Sequence, residues 1–340
     1  ISIWIRIKEQ INFHAPKRFG YKNGRMMKKQ YDPIQIKNLV TSSIKDRQSK
    51  VGIGDFARRW EKGGGFSDFL GTLPSILAAD DLRQAIEAIA AAHRKNRLVI
   101  FGMGAHVTKV GLNPLVIDLM RRGVFSAVAM NGAGIIHDFE LAMAGNTSED
   151  VSATIDSGSF GMTEETGRYL GEAVRMAEKE NTGLGSAVGR MINRHEMPYR
   201  DMSILAAAES MGAAVTVHVA MGTDILHMHP DFDPAAAGAA SHRDFRIFTS
   251  MVADLSEGVY INAGSAVILP EVFLKALTLA RNLGHTVSGI TTVNMDFIKH
   301  YRPLTNVVGR PTQTGGAGIN LVGHHEIMLP LIAAGVIETL

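Results

Sequence analysis

Imidazoles in this chain gather where strands should end. His106, His137, His218, His227, His229, His242, His300, His324 and His325 mostly fall at or near the limits of short apolar runs. Imidazole carries protons near neutral pH and ligates metals, so such placement suits either task. The densest group is the run DILHMHPDFD, where His227 and His229 stand two apart with Asp224 and Asp231 beside them. On an extended segment both rings would share a side, and two imidazoles with a carboxylate can hold zinc, iron or manganese. The plainer reading makes them hydrogen-bonded or surface histidines.

Glycine turns form a second set: Gly102-Met103-Gly104-Ala105-His106, then Asn131-Gly132-Ala133-Gly134, then Gly264-Ser265. Glycine after a strand lets backbone approach a phosphate and aims a helix N-terminus at it, although tight turns need glycine anyway. Asp138 sits just inside the helix after the second turn, and Asp296 follows Thr291-Thr292; hydroxyls with a carboxylate there suit ribose. An ordinary cap or turn would use the same residues. All of these are expected to hold a cofactor.

The elements that must position them follow from periodicity. Helical spacing runs over 81–96, 112–122, 135–144, 163–180, 185–195, 201–211, 243–254, 271–282 and 325–338. Strands are expected at 97–101, 125–130, 214–220, 259–262 and 286–292, with 145–162 a long polar connection. Alternation of this kind predicts an α/β fold, a doubly wound, mostly parallel sheet of about six strands with helices on both faces. Ligands of such sheets sit beyond the carboxyl ends of the strands.

Composition narrows the class. The chain has no cysteine, which removes disulfides, thiolate metal sites and a cysteine nucleophile. No run of eighteen apolar residues occurs, so no membrane partner and a cytoplasmic location are expected. Residues 1–63 carry 15 Lys and Arg against 5 Asp and Glu, whereas the remainder is acidic. Met26-Met27-Lys28-Lys29 reads as a natural start, which makes 1–26 a foreign or upstream leader and nucleic acid an unneeded explanation of the charge. An N-terminal extension over 27–65 ends in Gly63-Gly64-Gly65, and 66–340 forms one domain.

Four segments resemble the deoxyhypusine synthase family: RLVIFGMGAHVTKVGLNPLVIDLMRRGVFSAVAMNGAGIIHDFELAMAG, AVTVHVAMGTDILHMH, VYINAGSAVILPEVFLKALTLARNLGHTVSGITTVNMD and GINLVGHHEIMLPLIAA. The likeness spans roughly Leu70 to Leu340 and implies a Rossmann-type NAD site, a closing strand and helix, and a homotetramer with sites between subunits. It also implies an imine on a lysine that follows a Trp-Gly pair. That place holds Val308-Gly309-Arg310 here, and a guanidinium cannot form an imine. The family's acidic pair becomes His137-Asp138, its spermidine carboxylate becomes His227 or His229, and its late Asp-Ala-Ser turn becomes His324-His325-Glu326. A pocket so changed suits an anionic or metal-bound ligand better than a polyamine.

The combined expectation is an NAD-dependent enzyme acting on a small molecule, with Arg310, His227 and His229 catalytic. Asp224, His300, His324, His325 and Glu326 would bind substrate. A metal enzyme built on His227 and His229 is the alternative, and a non-catalytic assembly or sensing protein is a third reading.

Overall fold

A computed structural model describes residues 31–340 and two short strands, Tyr21–Lys22 and Arg25–Met26. The chain divides after Lys50. In the first unit the two short strands pair antiparallel, and residues 31–50 form neither helix nor strand and lie exposed. The leader expected over 1–26 otherwise falls outside the described residues. The second unit begins at Val51 and not at Phe66. Arg58 donates its N–H to the Thr72 carbonyl and Ser75 to that of Asp55, which binds 51–65 to residues 66–75.

Six strands form one wholly parallel sheet: β1 (Val99–Met103), β2 (Ala127–Asn131), β3 (Ala214–His218), β4 (Val259–Ala263), β5 (Thr291–Asp296) and β6 (Ala317–Val322). Their spatial order is 3-2-1-4-5-6. This is the doubly wound order, in which the chain leaves one side of β1 and returns on the other, opening a crevice between the ends of β1 and β4. Met103 pairs with both Met130 and Ala263, so the three central strands finish level.

Nine helices of eight residues or more surround the sheet in the described residues: α1 (Leu77–Arg94), α2 (Asn113–Arg121), α3 (Gly132–Ala144), α4 (Glu164–Lys179), α5 (Leu184–Arg194), α6 (Ile204–Met211), α7 (Pro234–Ala253), α8 (Ile268–Asn282) and α9 (His325–Thr339). Val99, Phe101 and Met103 point into a core shared with α1 to α6 and α9. Ile100 and Tyr260 point the other way, toward Phe248 and Val252 of α7 and Phe273 and Leu277 of α8. With both faces covered, alternation vanishes and the strands read as continuous apolar runs.

Two elements depart from expectation. α7 starts at Pro234, nine residues before the expected Arg243, because Asp233 accepts from the N–H groups of Ala235 and Ala236 and Pro fits a first turn. β5 starts at Thr291 because Gly289 at φ +64° interrupts the β-branched stretch before it.

Two buried carboxylates tie the helices of the larger core together. Asp138, on α3, accepts from Asn113 Nδ2 (2.9 Å), Ser203 Oγ (2.5 Å) and the N–H groups of Ile204 (2.8 Å) and Leu205 (3.1 Å). It thereby caps α6 from another helix. Asp244, on α7, does the same for α5 and β3 through Gly185 N–H (3.0 Å) and Val217 N–H (2.9 Å). Burial pushes Asp138 up to about 6 and Asp244 up to about 7, although every hydrogen bond pulls the other way. Asp138 is therefore a structural tether, contrary to its expected place beside a cofactor.

Replacing Asp138 by Ala strands four donors in the core, and replacing it by Asn turns an NH₂ group toward them. Both variants should lose about 2–4 kcal/mol in urea unfolding, with Ala the worse. A variant of wild-type stability that had lost only ligand binding would return Asp138 to the site.

Candidate functional site

Some of the expected residues lie together near the ends of β1 and β4. Gly104 follows β1 and Gly264 follows β4, and the two turns touch: a Cβ on Gly104 would strike the Gly264 carbonyl. Gly264 adopts φ +69° and packs against the His325 ring. His325 opens α9, directly after β6, and is fully buried. Neither of its ring nitrogens has a hydrogen-bond partner among the described residues. His106 lies 5.6 Å away between ring centroids, and Phe297 lies 5.9 Å from His106. His324 stacks on Phe297 at 5.9 Å with its plane tilted only 4°. Asp296 ends β5, buried, with His300 Nε2 3.9 Å from its carboxylate; Glu326 approaches His324 at 3.8 Å. Burial is the main force lowering the His325 pKa, against the opposing pull of Asp296, so the ring is held neutral.

A neutral imidazole has one donor and one acceptor, and leaving both unpaired in the interior costs about 1–3 kcal/mol each. Such a ring beside a second imidazole, an aromatic face and a carboxylate can hydrogen-bond a polar ligand and pass it a proton.

The end of β2 forms a neighbouring region. Asn131 caps α3 by accepting from Gly134 N–H at 3.2 Å. Gly132 packs directly on the Asp224 carboxylate, whose Oδ2 is buried without a partner and whose pKa burial raises. Asp224 also lines a cavity of about 210 Å³ with Lys109, Ala133, His137, Glu140 and Glu149.

Several expected residues sit elsewhere. Thr291 and Thr292 open β5 instead of ending it, so they lie at the far end of the sheet, with Thr291 roughly 16 Å from Asp296 at strand rise. Thr292 Oγ donates to the Val307 carbonyl. Arg310 comes three residues after Val307, at that same far end, where it binds Asn306 Oδ1 at 2.8 Å. The helical segment Tyr301–Gly309 has carried the chain back along the strand, which removes Arg310 from the crevice of its own chain. His227 and His229 do not share a side, because Ile225–Met228 is a 3₁₀ turn and not an extended segment. His227 Nδ1 accepts from Gly222 and Asp224 N–H, while His229 Nε2 meets the Gly161 carbonyl. Among the described residues no group of three His, Asp or Glu side chains converges to hold a metal. Ser265 Oγ accepts from Leu269 N–H and so begins α8.

Sequence reasoning missed the polar spine beneath the crevice. Asn262, Asn294 and Asn320 stand in register on β4, β5 and β6, each amide joined to the next at 2.8 Å. One asparagine inside each of the runs YINA, TVNM and GINL was the available signal.

Sheets with this strand order can hold a dinucleotide beyond the ends of their central strands, and the sequence led to the expectation of a nicotinamide dinucleotide there. The fit is partial. Cβ atoms on Gly102, Gly104 and Gly132 would meet the Tyr260 hydroxyl, the Gly264 carbonyl and Asp224, so the bare glycines face protein and not a phosphate. The helix after β1 is one turn, His106–Lys109. The orphaned nitrogens of His325 do fit, since ribose and carboxamide groups supply partners for them.

No family model and no curated protein matches the sequence. Among solved structures, a protein described as LOR/SDH from Methanococcus maripaludis S2 has TM-score 0.50 at 13% identity, covering 93% of this chain and 77% of that one. Unliganded AgrE has TM-score 0.51 at 12% identity, covering 77% of this chain and 34% of that one. A protein from Entamoeba histolytica described as a deoxyhypusine synthase has TM-score 0.46 at 10% identity, covering 83% and 96%. This chain thus spans about a third of the length of AgrE, and at these identities the likeness to AgrE and to the Methanococcus protein is one of fold. Among the described residues no helix is long and apolar enough to cross a membrane.

Contact between the two glycine turns is testable. Gly104→Ala sets a methyl against backbone that cannot rotate away, and should cost about 1–3 kcal/mol in urea unfolding. Gly238→Ala, in α7 with open space beside it, should be neutral or slightly stabilising. Equal tolerance of both would mean that the turns stand apart and leave room for a phosphate.

Proposed function

We propose that the chain is an enzyme of small-molecule chemistry that works with a nicotinamide dinucleotide laid along the carboxyl ends of its strands. The observation that carries this reading is His325, buried at the switch point with both ring nitrogens unpaired. A buried imidazole so placed loses free energy until a ligand completes it. His325 and His106 would hydrogen-bond the cofactor, Phe297 would offer an aromatic face, and Asp296 would take ribose hydroxyls. When bound, the nicotinamide supplies hydride transfer. The chain's own part is to orient that ring, exclude water through the packed turns at Gly104 and Gly264, and move protons through neutral imidazole. Assembly into a homotetramer and a cytoplasmic setting belong to the same proposal.

A second reading dispenses with the dinucleotide and keeps the imidazole pair as an acid–base centre. It is favoured by the filled space beside Gly102, Gly104 and Gly132. Deoxyhypusine synthesis is not proposed, because the lysine position of the resemblance is Arg310, at the far end of the sheet.

Calorimetric titration with NAD⁺ and NADH separates these readings. The first expects saturable binding that His325→Leu weakens at least tenfold while unfolding stability holds or rises, since an apolar side chain replaces unpaired polar atoms. Absence of binding to the wild-type chain contradicts the dinucleotide, and unchanged binding by His325→Leu contradicts the crevice.

A further inference from the structure

The cavity beside β2 holds groups that the crevice does not use. Its walls come from α3, from the 145–162 connection and from the loop after β3. At about 210 Å³ it has the volume of roughly seven waters, enough for a small metabolite.

Most of its polar atoms are already committed. Glu140 accepts from Thr147 Oγ at 2.5 Å through one oxygen and from Thr166 Oγ at 3.3 Å through the other. Glu149 accepts from Gly161 N–H at 2.9 Å. The Thr147 hydroxyl, having given its only proton to Glu140, can only accept from His137 Nδ1, 2.7 Å away. That fixes the His137 tautomer: Nδ1 carries the proton and Nε2 keeps a bare lone pair, with no hydrogen bond among the described residues. Burial first, and the Lys109 charge second, bring His137 down to about 4, so the ring is neutral at ordinary pH. The Nε2 lone pair, Asp224 with its unpaired Oδ2, and Lys109, which makes no ion pair among the described residues, have no such partners, and Glu149 keeps its second oxygen free.

Around so small a space the Lys109 ammonium faces an acidic side made of Asp224, Glu140 and Glu149 with the bare Nε2 acceptor beside it, an arrangement that matches a molecule carrying both a carboxylate and an ammonium. We propose that this cavity binds a small zwitterionic α-amino acid, its carboxylate on Lys109 and its ammonium between Asp224 and Nε2 of His137. Thr147 and Glu140 are positioning residues that act through the His137 tautomer. A molecule carrying only a carboxylate would leave Asp224 unpaired, and one carrying only an amine would meet the Lys109 charge. The assignment rests on the chain being a small-molecule enzyme, with the cofactor at the switch point and the substrate here. Its two tests, ring spectra and amino-acid titration, are made without dinucleotide, so their failure leaves cofactor binding untouched.

Both use the full chain. Ring ¹⁵N spectra should show His137 neutral at pH 6 in the Nδ1–H tautomer, and Thr147→Val should shift it toward Nε2–H. Titration with a set of small L-α-amino acids, with acetate and methylamine as half-molecules, should find at least one amino acid that binds at least tenfold more tightly than either half. Asp224→Asn and Lys109→Met should each weaken that binding at least tenfold, with the circular dichroism of the fold unchanged. Wild-type His137 as Nε2–H, no binding by any amino acid of the set, or half-molecules that bind as well as the whole would each overturn the proposal.

Discussion

The contact on which the site depends is the meeting of two turns at the switch point. In a 3-2-1-4-5-6 sheet the connections leave β1 and β4 in opposite directions, and the gap between them is ordinarily open. Here Gly104 and Gly264 close its floor, backbone against backbone, and only residues without side chains allow that approach. The ring of His325 then rests on Gly264, cut off from water, with neither nitrogen paired. The packing that gives the crevice its floor is thus also what keeps this imidazole neutral and in need of a partner.

Around that floor the fold spends buried polarity sparingly and in defined places. Asp138 and Asp244 cap helices from a distance, and the asparagine spine locks β4, β5 and β6 in register. Each tether holds rigid an element whose end faces the ligand side: α3, β3 and the last three strands. Most polar groups of the frame have partners, but Asp244 Oδ1, Asn262 Oδ1 and the Tyr260 hydroxyl are buried without one among the described residues, as are both nitrogens of His325 and Asp224 Oδ2 beyond the strand ends.

Much of this was legible in the residues. Glycines marked the ends of β2 and β4, and the alternation of five short apolar runs with helical spacing implied a parallel sheet, whose last strand came from the family resemblance. His106, Asp296, His300, His324 and His325 were expected at strand ends, and in the structure His106 lies 5.6 Å from His325 and His300 3.9 Å from Asp296. What escaped depended on backbone that side-chain type does not report. Thr291 and Thr292 look like the end of a β-branched strand, but Gly289 delays pairing until Thr291 itself. His227 and His229 would face together only if extended, and the 3₁₀ turn separates them. Asp138 resembles a helix-start carboxylate, yet three of its four donors come from residues more than sixty positions away. Arg310 was aligned by the shape of a motif, and the helical return of 301–309 carries it to the other end of the sheet.

The buried imidazole can be watched directly. Ring ¹⁵N and ¹H resonances of His325, recorded while NADH is added, should move to a saturating end point together with those of His106, as the unpaired nitrogens gain partners. Binding of the dinucleotide with both histidines unmoved would place the ligand elsewhere and contradict the account.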